Sequence, residues 1–140
     1  MEKICVKTFV HVSSQEAWNV FTDPQHIVNW NNASADWHTS QAINNLMPGG
    51  SFNYRMESRD GKQGFDFSGV YTVVEPFRLI EYTLDGEDTR RVRVEFSEEN
   101  GITHLAVTFD PETENSIEMQ RGGWQSILNN YSTYVDQLAA

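Results

Sequence analysis

Hydrophobic positions along this chain follow two different periods. Asn115 to Leu138 reads as one helix of about 24 residues, about 36 Å long at ~1.5 Å per residue. Its apolar residues are Ile117, Trp124, Ile127, Leu128, Tyr131, Tyr134, Val135 and Leu138. At about 100° per residue they fill an arc of about 120°, with Glu118, Gln125, Asn129, Thr133 and Asp136 opposite. Between Met47 and Asp110 the period is two. Phe52, Tyr54 and Met56 alternate with Ser51, Asn53 and Arg55, and Val92, Val94 and Phe96 alternate with Arg91, Arg93 and Glu95. Phe65 to Val74, Leu79 to Leu84 and Leu105 to Phe109 read as further strands, and Trp37 to Ile43 as a weak one.

Turn chemistry punctuates these runs. Met47-Pro48-Gly49-Gly50, Arg59-Asp60-Gly61-Lys62, Asp85-Gly86 and Glu99-Asn100-Gly101 turn the chain, while Glu75-Pro76 and Asp110-Pro111 end strands. Before them, Ile4, Val6, Thr8, Val10 and Val12 face one way, with Lys3, Lys7 and His11 the other, as in a half-buried strand. Ser13 stands three residues before Glu16, a helix-start signal. Asp23-Pro24 starts a second short helix, and residues 31–36 form a loop.

The expected order is a strand, two short helices, about six antiparallel strands and one long helix. That is an α+β chain with a single domain over residues 1–140. No strand–helix–strand alternation appears, which argues against a parallel nucleotide-binding sheet. An amphipathic helix and a one-sided sheet must cover each other, and a curved sheet gripping a helix leaves room for an apolar cavity.

Composition sharpens this picture. Aromatics make up 12% of 140 residues (8 Phe, 5 Tyr, 4 Trp), so the interior should be wide. Twenty acidic against ten basic residues give a net charge of -10, which repels nucleic acid and anionic membranes. No apolar run reaches membrane-spanning length and no signal peptide is visible, so a cytoplasmic location is expected. The single cysteine, Cys5, has no partner for an internal disulfide.

Candidate chemistry is sparse. His11, His26, His38 and His104 lack metal-ligand spacing, so no metal and no cofactor is expected. Carboxylate groups at Glu98-Glu99, Asp85/Glu87/Asp88 and Glu112/Glu114 sit in turn-like segments and read as solvated loops. No phosphate loop or hydrolase elbow is present, and no catalytic residue is assigned.

The aromatic strand residues are the better candidates. Phe52, Tyr54, Phe67, Tyr71, Tyr82, Phe96 and Phe109 come from successive strands; core packing explains much of this set and lining a ligand cavity the remainder, and the two roles can coexist. On the helix, Trp124 and Tyr131 share the apolar arc. Gln120 falls inside that arc, where a buried amide needs partners: a sheet backbone group, a Tyr hydroxyl or a polar group of a ligand. Gly122-Gly123 interrupts the helix at about 1 kcal/mol per glycine, for close packing or for cavity space. The expected ligand-binding set is Phe52, Tyr54, Phe67, Tyr71, Tyr82, Phe96, Gln120, Trp124 and Tyr131.

The chain resembles the single-domain branch of the START-like, Bet v-like (SRPBCC) superfamily that includes homologues of the chaperone-ATPase activator. The resemblance runs almost end to end. It rests on Ala17-Trp18-Asn19-Val20-Phe21-Thr22-Asp23-Pro24 with Ile27 and Trp30, Gly49-Gly50-Ser51-Phe52, and Phe67-Ser68-Gly69-Val70-Tyr71 with Val74 and Pro76. Tyr82-Thr83, Val92 to Phe96, Thr108-Phe109 and Gly123-Trp124 with Leu128 and Tyr134 complete it. Asn31-Asn32 departs from a Trp or Gly frequent in relatives. The resemblance implies a helix-grip fold: a curved antiparallel sheet of about seven strands around the C-terminal helix, with a cavity for a hydrophobic small molecule. The leading expectation is therefore a binder of a lipid-like or polyketide-like molecule, for transport, sequestration or sensing. The alternatives are a cochaperone-like modulator of an ATP-driven chaperone, and a cyclase or hydratase using the same pocket.

Overall fold

The computed structural model describes residues 2–86 and 89–140. The Glu87 and Asp88 carboxylates, read above as part of a solvated turn, lie outside the described residues. The elements are β1 (Ile4–Val10), α1 (Ser14–Thr22), α2 (Pro24–Trp30), β2 (Trp37–Asn44), β3 (Ser51–Ser58), β4 (Gly64–Glu75), β5 (Leu79–Leu84), β6 (Arg91–Glu99), β7 (Ile102–Phe109) and α3 (Ile117–Ala139).

All seven strands join one antiparallel sheet in the order β1-β7-β6-β5-β4-β3-β2. Neighbours in sequence pair from β2 to β7, and β1 closes the far side against β7. The α1–α2 pair carries the chain from one edge strand to the other. The hairpin β6–β7 turns on Asn100 (φ 55°) and Gly101 (φ 80°), the left-handed pair that a two-residue turn requires. Two irregularities bend the sheet. The register shifts between Thr39 and Gln41 in the β2–β3 ladder and between Tyr71 and Val73 in β4–β5. Sequence periodicity placed strands here but gave no sign of these bulges.

Local capping follows the sequence. The Ser13 hydroxyl accepts from Glu16 N–H at 3.2 Å, and the Asp23 carboxylate accepts from Gln25 N–H at 2.9 Å, with Pro24 opening α2. The long helix begins two residues later than expected, at Ile117, because the Ser116 hydroxyl caps Met119 N–H.

The concave face of the sheet holds the core. Ile4, Val6 and Val10 of β1, Leu105, Val107 and Phe109 of β7, and Val92, Val94 and Phe96 of β6 are all buried. Their opposite-parity neighbours face solvent. The α3 helix buries Gln120, Leu128, Tyr131 and Val135 against this face. Its apolar arc is shorter than the sequence suggests. Ile117 is 40% exposed and Leu138 51%, because the two ends of the helix overhang the sheet.

The polar face of α3 also differs from expectation. Gln125 and Asp136, read as solvent-facing, bond the free edge of β1. Asp136 accepts from His11 N–H at 3.0 Å, and Ser132 donates its hydroxyl to Phe9 O at 2.9 Å. An edge strand that would otherwise offer unpaired backbone groups is thus covered by helix side chains.

Candidate functional site: a cavity beneath the C-terminal helix

A cavity of about 460 Å³ lies between the concave sheet and the helices. Strand side chains supply one wall: Tyr54 and Met56 of β3, Phe67 and Tyr71 of β4, and Ile80 and Tyr82 of β5. Phe21 and Trp30 enter from α1 and α2. The roof is one stretch of α3, from Met119 to Leu128. Phe65, Asn115 and Met119 both line the cavity and are exposed, which sets its mouth on their side. Trp37 and Phe65 stand there with ring centroids 5.8 Å apart, and Met119 is 65% exposed.

Of the nine residues expected from sequence, six border the cavity: Tyr54, Phe67, Tyr71, Tyr82, Gln120 and Trp124. The other three stand behind it. Phe52 is buried at the centre of an aromatic cluster, with centroids 4.9–5.8 Å from Tyr82, Tyr54, Tyr71 and Phe67. Gly69 is what lets it lie flat on the sheet, since a Cβ there would come within 2.9 Å of the Phe52 ring. Phe96 is covered by Trp18 and Phe21 at 5.3 and 5.6 Å. Tyr131 is wholly buried and donates its hydroxyl to Ala17 O at 2.6 Å, tying α3 to α1. These three hold the wall rather than form its surface.

Gln120 has a different partner from those considered in the sequence. Its side-chain oxygen accepts from Glu112 N–H at 2.9 Å, while its amide nitrogen donates to Glu112 O at 3.0 Å and Asn115 O at 2.9 Å. Both amide protons are used. The residue folds the β7–α3 loop back onto the helix and binds neither sheet nor tyrosine. Gly123, by contrast, is explained by space. It lines the cavity, and a Cβ built there meets nothing within 4 Å, as is also true of Gly122. Close packing does not account for the pair.

Trp124 stacks on Phe109 with centroids 4.0 Å apart and planes 14° from parallel, and presents an edge to Phe67 at 6.0 Å. Its indole is thereby fixed as a flat part of the wall.

Three phenols, Tyr54, Tyr71 and Tyr82, stand among the polar lining residues, with Thr22, Asn31 and Gln120. Tyr71 donates to Asn44 Oδ1 at 2.5 Å, and Asn44 Nδ2 donates to Thr22 O at 2.8 Å. Burial, the largest influence on it, pushes the Tyr71 hydroxyl up to about 12. Tyr54 and Tyr82 are raised well above the usual tyrosine range, first by burial and then by neighbouring tyrosines. All three remain protonated near neutral pH.

The histidines are dispersed. His11 contacts Asp136 at 3.1 Å, His26 the Tyr134 hydroxyl at 2.7 Å, and His38 Glu57 at 3.9 Å, while His104 packs beside Phe9 on the outer face. Among the described residues, no three His, Cys, Asp or Glu side chains converge as metal ligands would.

Several lining residues escaped the sequence reading. Phe21 and Trp30 stack with ring centroids 5.2 Å apart and also line the cavity. Asn44 is not itself a lining residue but holds the Tyr71 hydroxyl, and it shares the half-buried parity of Ala42 on β2. Asn31, the departure from relatives noted above, is buried and donates to Thr39 Oγ1 at 3.1 Å, closing α2 onto β2 beside the mouth.

A curled seven-stranded sheet gripping a long helix over an apolar cavity defines a START-like, SRPBCC domain. Residues 11–136 match the family described as "Activator of Hsp90 ATPase homolog 1-like protein", and the chain belongs to that family. Among solved structures, the AHSA1-like protein from Aeromonas hydrophila is 38% identical with a TM-score of 0.91, the match covering 99% of this chain and 94% of that one. Chr148 from Cytophaga hutchinsonii is 39% identical at a TM-score of 0.82, covering 98% and 94%. The Aha1 dimer from Colwellia psychrerythraea shares the fold at 12% identity and a TM-score of 0.76, over 97% of each chain. No curated protein matches the sequence. Among the described residues, no helix is long and apolar enough to cross a membrane.

Proposed function

We propose that this protein binds a hydrophobic or aromatic small molecule in the cavity beneath α3, to carry, sequester or sense it. The observation that supports this most directly is the side-chain-free face at Gly123. Two glycines cost a helix roughly 1 kcal/mol each relative to alanine, and no close neighbour demands them. What Gly123 keeps open is the cavity. A volume of about 460 Å³ lies within the range of small-molecule sites, roughly 300–1,000 Å³. The flat faces of Trp124, Phe67 and Tyr54 suit a planar guest.

Native mass spectrometry of freshly purified protein tests this, with solvent extraction of any retained molecule. A stoichiometric apolar guest that disappears in Gly123→Leu supports the reading. Retention of the same guest in that variant removes the cavity as its site.

A second reading follows from the family's name, which refers to activation of the Hsp90 ATPase. The net charge of -10 suits a basic docking face on such a partner. Stimulation of a purified chaperone's ATP hydrolysis by this protein, unaffected by Gly123→Leu, would favour that role over small-molecule binding.

A further inference from the structure

Among the described residues that line the cavity, one carries a positive charge: Arg90. Its place follows from strand register. Val92, Val94 and Phe96 of β6 are buried on the concave face, whereas Arg91, Arg93 and Glu95 are exposed. Arg90 has the inward parity, and it is half-buried against the cavity. Arg93 shows the contrast, since it faces outward and is neutralised by Glu81 and Glu95. The backbone around Arg90 is fixed. Its carbonyl accepts from Leu84 N–H at 2.8 Å. Arg91 N–H donates to Asp110 Oδ2 at 3.0 Å, and Asp110 N–H donates to Arg91 O at 3.1 Å. Thr89, just before Arg90, takes φ 43°, a left-handed conformation rare for a β-branched residue. Backbone strain of that kind collects at binding sites. The same bonds set Arg90 at the end of the sheet that carries the mouth. Asp85 N–H donates to Ser68 O at 3.0 Å, and Phe65 lies on the same strand, β4. Asp110 leads directly into the loop that holds Asn115.

We propose that the cavity takes a planar aromatic carboxylic acid, its rings against Trp124 and Phe67 and its carboxylate held by Arg90. This rests on the cavity being the binding site. The planar guanidinium fork matches a carboxylate with two parallel hydrogen bonds. It carries five N–H donors, so a protein partner on one side still leaves donors for a ligand on the other. Half-burial beside apolar walls makes such a pair stronger than one in open water. The lining carboxylate, Glu112, has a different task. Its Oε1 accepts from Asn115 N–H at 2.7 Å, which ties it into the β7–α3 loop. A cationic head would compete for that carboxylate and meet the charge of Arg90. The net charge of -10 opposes any anion at long range. That repulsion is screened over about 8 Å at physiological salt, whereas an arginine–carboxylate bond forms at about 2.8 Å.

Three probes of one shape differ only in the head: naphthylpropionate, naphthylpropanol and naphthylpropylamine, titrated by calorimetry at neutral pH. The acid should bind about three- to tenfold tighter than the alcohol, the gain of a charge-assisted pair discounted for partial exposure. The amine should bind no tighter than the alcohol. Arg90→Met keeps an apolar stem, so it should remove the acid's advantage and leave naphthylpropanol binding as before. Arg90→Lys should restore part of the advantage, through charge without the fork. Gly123→Leu should abolish binding of all three. An acid that binds no better than the alcohol or the amine overturns this proposal while the cavity stands as a binding site. So does a preference for the acid that survives Arg90→Met. If none of the probes binds, or if they still bind to Gly123→Leu, the binding reading itself fails and this proposal with it.

Discussion

Gln125 brackets the backbone of Lys7: its Nε2 donates to Lys7 O at 2.9 Å and its Oε1 accepts from Lys7 N–H at 3.4 Å. One side chain on α3 thereby stands in for the neighbouring strand that β1 lacks. Lys7 is exposed, so water can replace these bonds, and Gln125→Ala should cost about 0.5–1.5 kcal/mol in a urea melt. The more specific expectation is local. Amide exchange at Lys7 should accelerate well beyond the global change, and self-association should increase as the strand edge is uncovered. Unchanged exchange at Lys7 would show that the bracket carries no weight.

The two helix glycines should separate stability from binding. Gly122 is exposed, and a Cβ there meets nothing within 4 Å. Gly122→Ala should raise stability by about 0.5–1 kcal/mol through helix propensity alone. Gly123→Leu should also fold, but its side chain would project into the cavity. A thermal melt with and without a cavity ligand distinguishes the two: the ligand-induced rise persists in the first variant and vanishes in the second. A destabilised Gly122→Ala would mean that the helix needs to bend there.

High pH should unfold the protein early. A tyrosine is about 10 in the unfolded chain, whereas Tyr71 is held at about 12 in the fold, chiefly by burial. Between those values the unfolded state binds fewer protons than the native one, so stability falls as pH rises. The contribution is complete below pH 10 and is lost as pH passes upward through 12. Over that window each such tyrosine removes roughly 1.4 kcal/mol per pH unit. Tyr54, Tyr82 and Tyr131 shift in the same direction. Tyrosinate absorbance should therefore rise in one cooperative step together with loss of near-ultraviolet circular dichroism. Gradual ionisation with the fold intact would place these hydroxyls in contact with solvent.

Much of this architecture is legible in the sequence because each signal is local. Period two in β3, β6 and β7, Asn100-Gly101 in a hairpin and Asp23-Pro24 at a helix start all act over a few residues. What periodicity cannot give is depth. Phe52 and Tyr54 share one strand face, yet Phe52 is buried among four rings and Tyr54 borders the void. That difference depends on where α1, α2 and α3 stop covering the sheet, a relation between segments up to a hundred residues apart. The same limit applies to Gln120. Its helical angle marks it as buried, but its partners lie in a loop whose path no local signal predicts.

Trp124 is a test of the wall itself. It is stacked on Phe109 and half-buried, so Trp124→Phe should keep most of the stacking and cost about 1 kcal/mol. Trp124→Ala should cost about 2–3 kcal/mol, below the roughly 3–5 kcal/mol of a fully enclosed aromatic. Trp30 and Trp37 also border the cavity, whereas Trp18 lies under Phe77 and Phe96. An aromatic ligand should therefore quench fluorescence in the native protein, and Trp124→Phe should remove a large part, but not all, of that response. Full retention of the response would locate the ligand near Trp30 and Trp37 at the mouth.

Gln120→Leu is the sharpest discriminator between loop anchoring and ligand contact. Leucine suits the helical arc and borders the cavity as Gln120 does. A residue kept for a ligand's polar group would tolerate this change and merely shift preference toward less polar guests. The geometry argues otherwise, because the substitution strands the Glu112 N–H, the Glu112 carbonyl and the Asn115 carbonyl together. Glu112 is half-buried and Asn115 exposed, so water satisfies part of the loss, and the expected destabilisation is about 1–3 kcal/mol. The damage should be confined. Hydrogen exchange should accelerate across residues 111–121, and probes entering past Met119 and Asn115 should associate and dissociate faster. Gln120→Glu should keep the acceptor for the Glu112 N–H but lose the bonds to both carbonyls at neutral pH, since a carboxylate cannot donate to either. A stable Gln120→Leu with unchanged exchange in the loop and an altered ligand preference would return Gln120 to the binding surface.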